Sequence, residues 1–183
     1  MKKMHYWGYL LAIATVISSC SKGTDIDPNT DENELITTVK LNFTEKGTST
    51  TSTFVVIDPD GAEGPKAISQ LDKITLKANK SYDFTITILD ETKNPVSDIT
   101  TGIEAEKNDH LFIYTPSPSS LLSFVITDKD SKGYNVGLKA SVTTTAAGTG
   151  KLKVQLRHQP SVKDGTPTPG SDDINQTFDV VVN

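Results

Sequence analysis

Cysteine is almost absent from the sequence. The one cysteine, Cys20, lies directly after an apolar N-terminal segment, and the chain after it contains no second thiol. A disulfide framework is therefore excluded, and the domain that follows must be stabilised by packing. Tryptophan is equally scarce, because the one residue of this type, Trp7, lies in the same N-terminal segment.

Basic residues are fewer than acidic ones, and no catalytic sequence motif is present. Asp and Glu outnumber Lys and Arg by 23 to 18, which gives a formal net charge of −5. An acidic chain argues against nucleic acid as a partner. The sequence contains neither an HExxH motif nor a glycine-rich nucleotide-binding motif. With no usable cysteine nucleophile after Cys20, we expect a protein that is not an enzyme.

Residues 1–19 have the organisation of a lipoprotein signal peptide. Two early lysines precede an apolar run over residues 6–17, and two serines place small side chains directly before Cys20. The run is too short and wrongly flanked for a membrane-spanning helix. We therefore expect residues 1–19 to be removed and Cys20 to carry lipid. At about 0.8 kcal/mol per buried methylene, more than one acyl chain anchors a protein stably to a membrane.

Residues 20–34 form a polar and acidic segment after the signal. The stretch SKGTDIDPNTDENE has few apolar side chains and cannot bury enough surface to offset the entropy of ordering. We expect a flexible tether here. Residues 35–183 then have the size of one ordinary domain.

Alternating apolar and polar side chains dominate residues 35–183. The segment VKLNF at 39–43 shows the period of two that is typical of a half-buried strand. The pattern recurs between turn-forming residues at 54–57, 74–76, 82–88, 112–114, 122–126, 152–156 and 178–182. We predict an all-β domain, an antiparallel immunoglobulin-like β-sandwich. One short helix is predicted over 99–108, with Asp98 as its N-cap.

Two histidines, His110 and His158, lie at the ends of predicted elements. If the helix extends to residue 110, Glu106 and His110 lie four residues apart on one face, a spacing that can hold one cation. His158 continues the core-facing alternation of its strand. Together with Glu104, Glu106 or Asp109, two imidazoles suit zinc or a similar divalent metal. The alternative is that each histidine is a rim residue bonded to the backbone, since no fixed zinc spacing occurs.

An acidic turn and a long loop are the other candidate sites. Asp58, Asp60 and Glu63 surround a glycine and could offer oxygen ligands to calcium, although the ligand series is incomplete and an ordinary turn is favoured. The segment from Arg157 to about Ser171 is rich in Gly, Pro and Thr. Loops of this kind often carry the residues that bind a ligand. A solvated connection between two strands of a hairpin fits the composition equally well.

Four stretches carry a resemblance to a known family: NELITTVKLNF, DPDG, IEAEKNDHLFIYT and GTGKLKVQLRHQPSVKDG. They resemble a family of small lipoproteins of Bacteroidota whose members are labelled type 1 periplasmic binding fold superfamily proteins. The resemblance covers nearly the whole domain and implies a TonB-dependent receptor as partner. The label implies a two-lobed α/β fold, whereas the strand pattern with one short helix favours the sandwich.

These observations lead to an expected function and one rival. We expect a membrane-anchored lipoprotein of the cell envelope, at the outer membrane facing the periplasm, that binds a small ligand as an accessory to TonB-dependent uptake. The sequence does not identify the ligand; a divalent metal such as zinc is one candidate and calcium a weaker one. The rival is a structural or adhesive module that binds protein or glycan without a metal. Scarce tryptophan weakens the glycan version.

Replacing Cys20 by alanine tests the lipid anchor. We expect the Cys20→Ala protein to be released into the soluble fraction, or to stall before processing, because no other residue can accept the thioether-linked lipid. Membrane fractionation and labelling with radioactive fatty acid measure this. Ser21→Ala is the matched control and keeps the label. A wild-type protein that is soluble and unlabelled would show that the signal assignment is wrong.

Overall fold

The computed structural model describes residues 35–62 and 64–183, so the predicted signal peptide, Cys20 and the tether lie outside the described residues. Eleven strands and one helix occur in these ranges. In chain order they are β1 (Thr38–Glu45), β2 (Thr51–Ile57), β3 (Gln70–Leu71), β4 (Ile74–Leu76), β5 (Ser81–Asp90), β6 (Ser97–Asp98), α1 (Ile99–Ala105), β7 (His110–Ser117), β8 (Leu122–Ile126), β9 (Lys139–Thr144), β10 (Gly148–His158) and β11 (Ser171–Val182).

The strands form two sheets. The first sheet has the order β3-β2-β1-β5-β9-β8, with β6 also paired to β5, and the second has the order β4-β11-β10-β7. Every strand pair is antiparallel except β4 with β11, which is parallel. The predicted all-β sandwich is therefore confirmed.

The core lies between the sheets and follows from the alternation. In β1, the side chains of Val39, Leu41 and Phe43 are buried while those between them are partly exposed. Phe84 of the first sheet meets Tyr114 of the second with their ring centroids 5.1 Å apart. Edge-to-face contacts of this kind are favourable aromatic geometry and fix how the two inner faces meet.

Strand β9 was not predicted from the sequence. Its residues KASVTT do alternate, and Ala140 and Val142 are buried between β5 and β8. The inward positions carry one small and one β-branched side chain among threonine and serine, so the hydrophobic contrast along the strand is low.

The helix begins as predicted but ends early. The Asp98 carboxylate accepts a hydrogen bond from the Thr100 N–H, and Ile99 and Ile103 are buried. The predicted end at residue 108 is wrong, because α1 stops at Ala105 and the chain turns to enter β7. The turn is closed by a hydrogen bond from Asp109 N–H to the Glu106 carbonyl. Among the described residues, no helix has the length and apolarity needed to span a bilayer.

A buried ion pair ties together the connections at one end of the sandwich. The Lys163 ammonium lies 3.0 Å from Asp130 Oδ2, and neither side chain is exposed. Lys163 also donates to the Lys107 carbonyl at 2.8 Å. Burial alone would raise the pKa of Asp130, but the Lys163 ammonium and backbone N–H groups of the same turn outweigh burial and hold that pKa below its usual range. The connections after α1, β8 and β10 are thereby joined at one point.

Shortening a buried side chain to alanine should lower the stability far more than shortening an exposed one. Leu156 and Phe84 are each 1% exposed, whereas Val125 is 62% exposed. We expect Leu156→Ala and Phe84→Ala to lower the free energy of unfolding by about 2 to 5 kcal/mol, because each leaves a cavity in a close-packed interior. Val125→Ala is the control and should change it by less than about 0.5 kcal/mol. Urea unfolding measures all three, and equal losses would contradict this core.

Candidate metal centre

The pairing of β7 with β10 brings the two histidines together. His110 lies directly opposite His158 in the antiparallel register. The two imidazole rings are stacked, with centroids 4.8 Å apart and planes inclined by 6°. His110 is buried at the strand start, and His158 is half-buried. The side chains directly opposite each other in such a pair are close enough to act on one ligand.

A β-bulge in β11 adds a carboxylate to the pair. Leu156 pairs with Ile174 but Arg157 pairs with Asp172, so Asp173 is the inserted residue of the bulge. Arg157 holds Asp172 by an ion pair of 2.7 Å. Bulges redirect side chains in this way. The ligand atoms of His110, His158 and Asp173 consequently all lie within 4.8 Å of one another.

The hydrogen bond of His110 selects its tautomer. Its Nδ1 lies 3.1 Å from the backbone carbonyl oxygen of Glu106. A carbonyl can only accept, so Nδ1 carries the hydrogen and the lone pair of Nε2 is available for a ligand. Burial lowers the pKa of His110, the Glu106 carbonyl partly opposes this, and the neighbouring His158 lowers the pKa further. The neutral form that metals require is therefore favoured.

The donor set defines what the cluster can do chemically. Two imidazole nitrogens and one carboxylate oxygen form a three-residue ligand set that leaves a fourth tetrahedral position open. With Zn–N bonds of about 2.0 Å, two nitrogens on one zinc are roughly 3.3 Å apart. The ligand atoms, now spread over as much as 4.8 Å, must therefore draw together. His158 is less enclosed than His110 and is the side chain with room to move.

The acidic residues that the sequence suggested as metal ligands have other contacts. Glu104 forms an exposed ion pair of 3.6 Å with Lys139. Glu106 contributes its backbone carbonyl to His110, and its exposed carboxylate is not part of the cluster. Asp109 accepts a hydrogen bond from Ser161 N–H through its carboxylate and from Gln159 N–H through its backbone oxygen. Asp173 was missed, although the consecutive acids Asp172 and Asp173 interrupt the strand alternation.

The calcium candidates lie in the turn after β2. Asp60 accepts a hydrogen bond from Lys66 N–H at 3.0 Å, and its carboxylate folds over Gly64. Burial raises the pKa of Asp58, and the adjacent Asp60 carboxylate raises it further. Glu63 lies outside the described residues. Two carboxylates supply few of the roughly six to eight oxygens that calcium takes, and no described cluster of three ligands includes this turn.

The loop between β10 and β11 is folded upon itself. Gln159 is fully buried, and its side-chain amide donates to the carbonyls of Thr166 and Pro169, each at 2.9 Å. Arg157 also donates to the Pro169 carbonyl at 3.0 Å. These bonds position the ends of β10 and β11, so the loop supports the cluster next to it.

The lowered pKa of His110 predicts how stability depends on pH. Unfolded histidine titrates near 6.5, so between that value and the lower folded pKa the unfolded chain binds more protons. Stability should therefore be level above about pH 7 and fall as the pH drops below about 6.5. Urea unfolding from pH 8 to pH 5 in chelator measures this. His110→Gln should flatten the profile in that window, and an unchanged slope in this variant would contradict the assignment.

Comparison with known proteins finds no matching family model, no matching curated protein and no matching solved structure.

Proposed function

We propose that the protein is a membrane-anchored lipoprotein that binds a divalent metal of the zinc type through His110, His158 and Asp173. The observation that carries this proposal is the convergence of two imidazoles and one carboxylate within 4.8 Å at one end of the sandwich. These residues come from three strands. The strand register places the two histidines opposite each other, and the bulge in β11 brings Asp173 to them.

The donor types favour zinc over the common hard cations. Imidazole suits zinc, copper and nickel, whereas magnesium and calcium take oxygen ligands. A divalent metal bound by two neutral histidines and one carboxylate gives the site a net charge of plus one. The net charge of the chain is negative. The charge balance of the whole chain therefore favours occupation by a cation.

The surroundings support a preorganised site. The Glu106 carbonyl orients the His110 ring, and outer contacts of this kind usually accompany metal ligands. Hydrogen bonds from Gln159 and Ser161 hold Asp109, the residue directly before His110. The buried Lys163 with Asp130 fixes the same connections. Such support lowers the entropy lost when a ligand is bound.

The sequence supplies the cellular part of the proposal. The predicted lipid on Cys20 would hold the domain at the outer membrane, facing the periplasm. The resemblance to small lipoproteins of Bacteroidota supports an accessory role beside a TonB-dependent receptor. Binding and delivery of a metal, rather than catalysis, fits a chain without a nucleophile motif.

Zinc titration of the full chain tests the metal site. After chelation and removal of the chelator, zinc at about a hundred times its dissociation constant should add roughly 2.7 kcal/mol to stability, seen as a higher melting temperature. His110→Ala and His158→Ala should abolish the shift, and Asp173→Asn should reduce it. Asp179→Asn, on the same strand as Asp173 but away from the bulge, is the matched control: it loses an exposed ion pair with Lys151 but keeps the zinc response. Binding should weaken as the pH falls through about 6.5.

The competing outcomes are distinct. No metal by elemental analysis, together with no melting shift, would show that the histidines are structural rim residues. If calcium raises the melting temperature instead, and Asp58→Asn or Asp60→Asn removes the effect, the metal site is the turn after β2.

A further inference from the structure

Strand β8 forms one edge of the first sheet. It pairs with β9 on one side, and no strand of the described residues pairs with its other side. A strand at the edge of a sheet presents a row of backbone N–H and C=O groups to which a further strand can bind. The free side of β8 is therefore a place where the first sheet can be extended.

The hydrogen bonds beside β8 show which of its backbone groups face the free side. Just beyond one end of the pairing with β9, Thr127 N–H donates to the Lys139 carbonyl at 3.0 Å. Just beyond the other end, Thr145 N–H donates to the Leu121 carbonyl at 3.3 Å. In antiparallel strands, every second opposed pair exchanges hydrogen bonds. The odd-numbered residues of β8 therefore bond to β9, and the even-numbered ones direct their backbone groups away from it.

Three residues, Leu122, Phe124 and Ile126, carry the outward backbone groups. Within residues 35–62 and 64–183, nothing forms a hydrogen bond with them on that side. The side chains of Phe124 and Ile126 point towards the core but remain partly exposed at the edge. On the outer face, Val125 is 62% exposed. The edge thus combines polar backbone groups with apolar side chains that a neighbouring strand would cover.

The other terminal strands of the two sheets are protected against such pairing. β3 has two residues and β4 has three, and β4 lies between Lys73 and Lys77. At the start of β7, Phe112 N–H donates to the Val136 carbonyl at 2.7 Å, and Pro116 near its end has no N–H to donate. Short strands, lysine and proline all protect sheet edges. The sequence of β8, LSFVI, contains neither a charge nor a proline.

A second copy of the chain fits this edge by symmetry. The outward groups are arranged evenly about Phe124, so a two-fold axis at this residue places Leu122 opposite Ile126 of the second copy. Three residues in each copy then donate one hydrogen bond each, which makes six across the axis. Because β8 is uncharged, the identical edges meet without the repulsion that like charges cause on opposed strands.

We propose that two copies of the chain associate by antiparallel pairing of β8 with β8, so that the first sheet continues from one copy into the other. On the outer face, Val125 of each copy would lie opposite Ser123 of the other. A single pair of short strands is a small interface, so the dimer is weak and reversible. The proposal uses neither the metal ligands nor Cys20, so it stands or fails separately from the proposed function.

Analytical ultracentrifugation of the full chain with Cys20→Ala tests the dimer from about 10 µM to about 1 mM, in buffer that contains a chelator. The substitution removes the lipid, and the chelator removes metal. We expect a reversible equilibrium between monomer and dimer. A chain that remains monomeric at about 1 mM would overturn the proposal.

Two double variants in the same Cys20→Ala chain test the register. Ser123→Lys with Val125→Lys would place lysine opposite lysine and should weaken the dimer at least tenfold. Ser123→Glu with Val125→Lys would place glutamate opposite lysine and should retain or tighten the dimer. Both positions are exposed on the outer face, and circular dichroism checks that both variants fold. Equal association of the two variants would overturn the proposed pairing.

Amide hydrogen exchange measured by NMR tests which backbone groups take part. The N–H groups of Phe124 and Ile126 should exchange more slowly as the protein concentration rises, because they become hydrogen-bonded in the dimer. The Val125 N–H bonds to β9 within one copy and is the internal control, protected at every concentration. A dimer in which Phe124 and Ile126 exchange as fast as in the monomer would place the interface elsewhere and overturn the proposal.

Discussion

The register of β10 between its two neighbours is the constraint on which the candidate site depends. β10 is antiparallel to β7 on one side and to β11 on the other. Its pairing with β7 places His158 opposite His110. A slip of one residue would turn one histidine to the opposite face of the sheet. The slip would also expose Leu152, Val154 and Leu156, so the hydrophobic core that specifies the register also specifies the histidine pair.

The bulge in β11 is the second element of this constraint. It lets Asp172 remain on the outer face with Arg157 while Ile174 keeps its place in the core. The residue between them, Asp173, is thereby directed towards the histidines. The ion pair and the buried isoleucine each hold one flank of the bulge. The geometry of the carboxylate is therefore stabilised by residues that are not ligands themselves.

Much of the fold could be predicted from the sequence because alternation reports burial directly. The segments at 39–43, 152–156 and 178–182 lie in strands whose alternate residues are buried. The start of α1 was predicted from Asp98, but its end was not, because good helix formers continue to Lys107 and the tertiary turn into β7 overrides their propensity. Asp173 was not predicted, because the two consecutive acids at 172 and 173 interrupt the alternation but do not show that one of them is directed towards the histidines by a bulge.

The contact between His110 and Glu106 shows a different limit of the sequence. The spacing of four residues suggested that the two side chains lie on one face of a helix, but α1 ends at Ala105, before this point. The two residues meet through a turn, and the group that acts is the Glu106 carbonyl rather than its carboxylate. Backbone atoms have no signature in the sequence. Interactions made by them can be found only once the chain is folded.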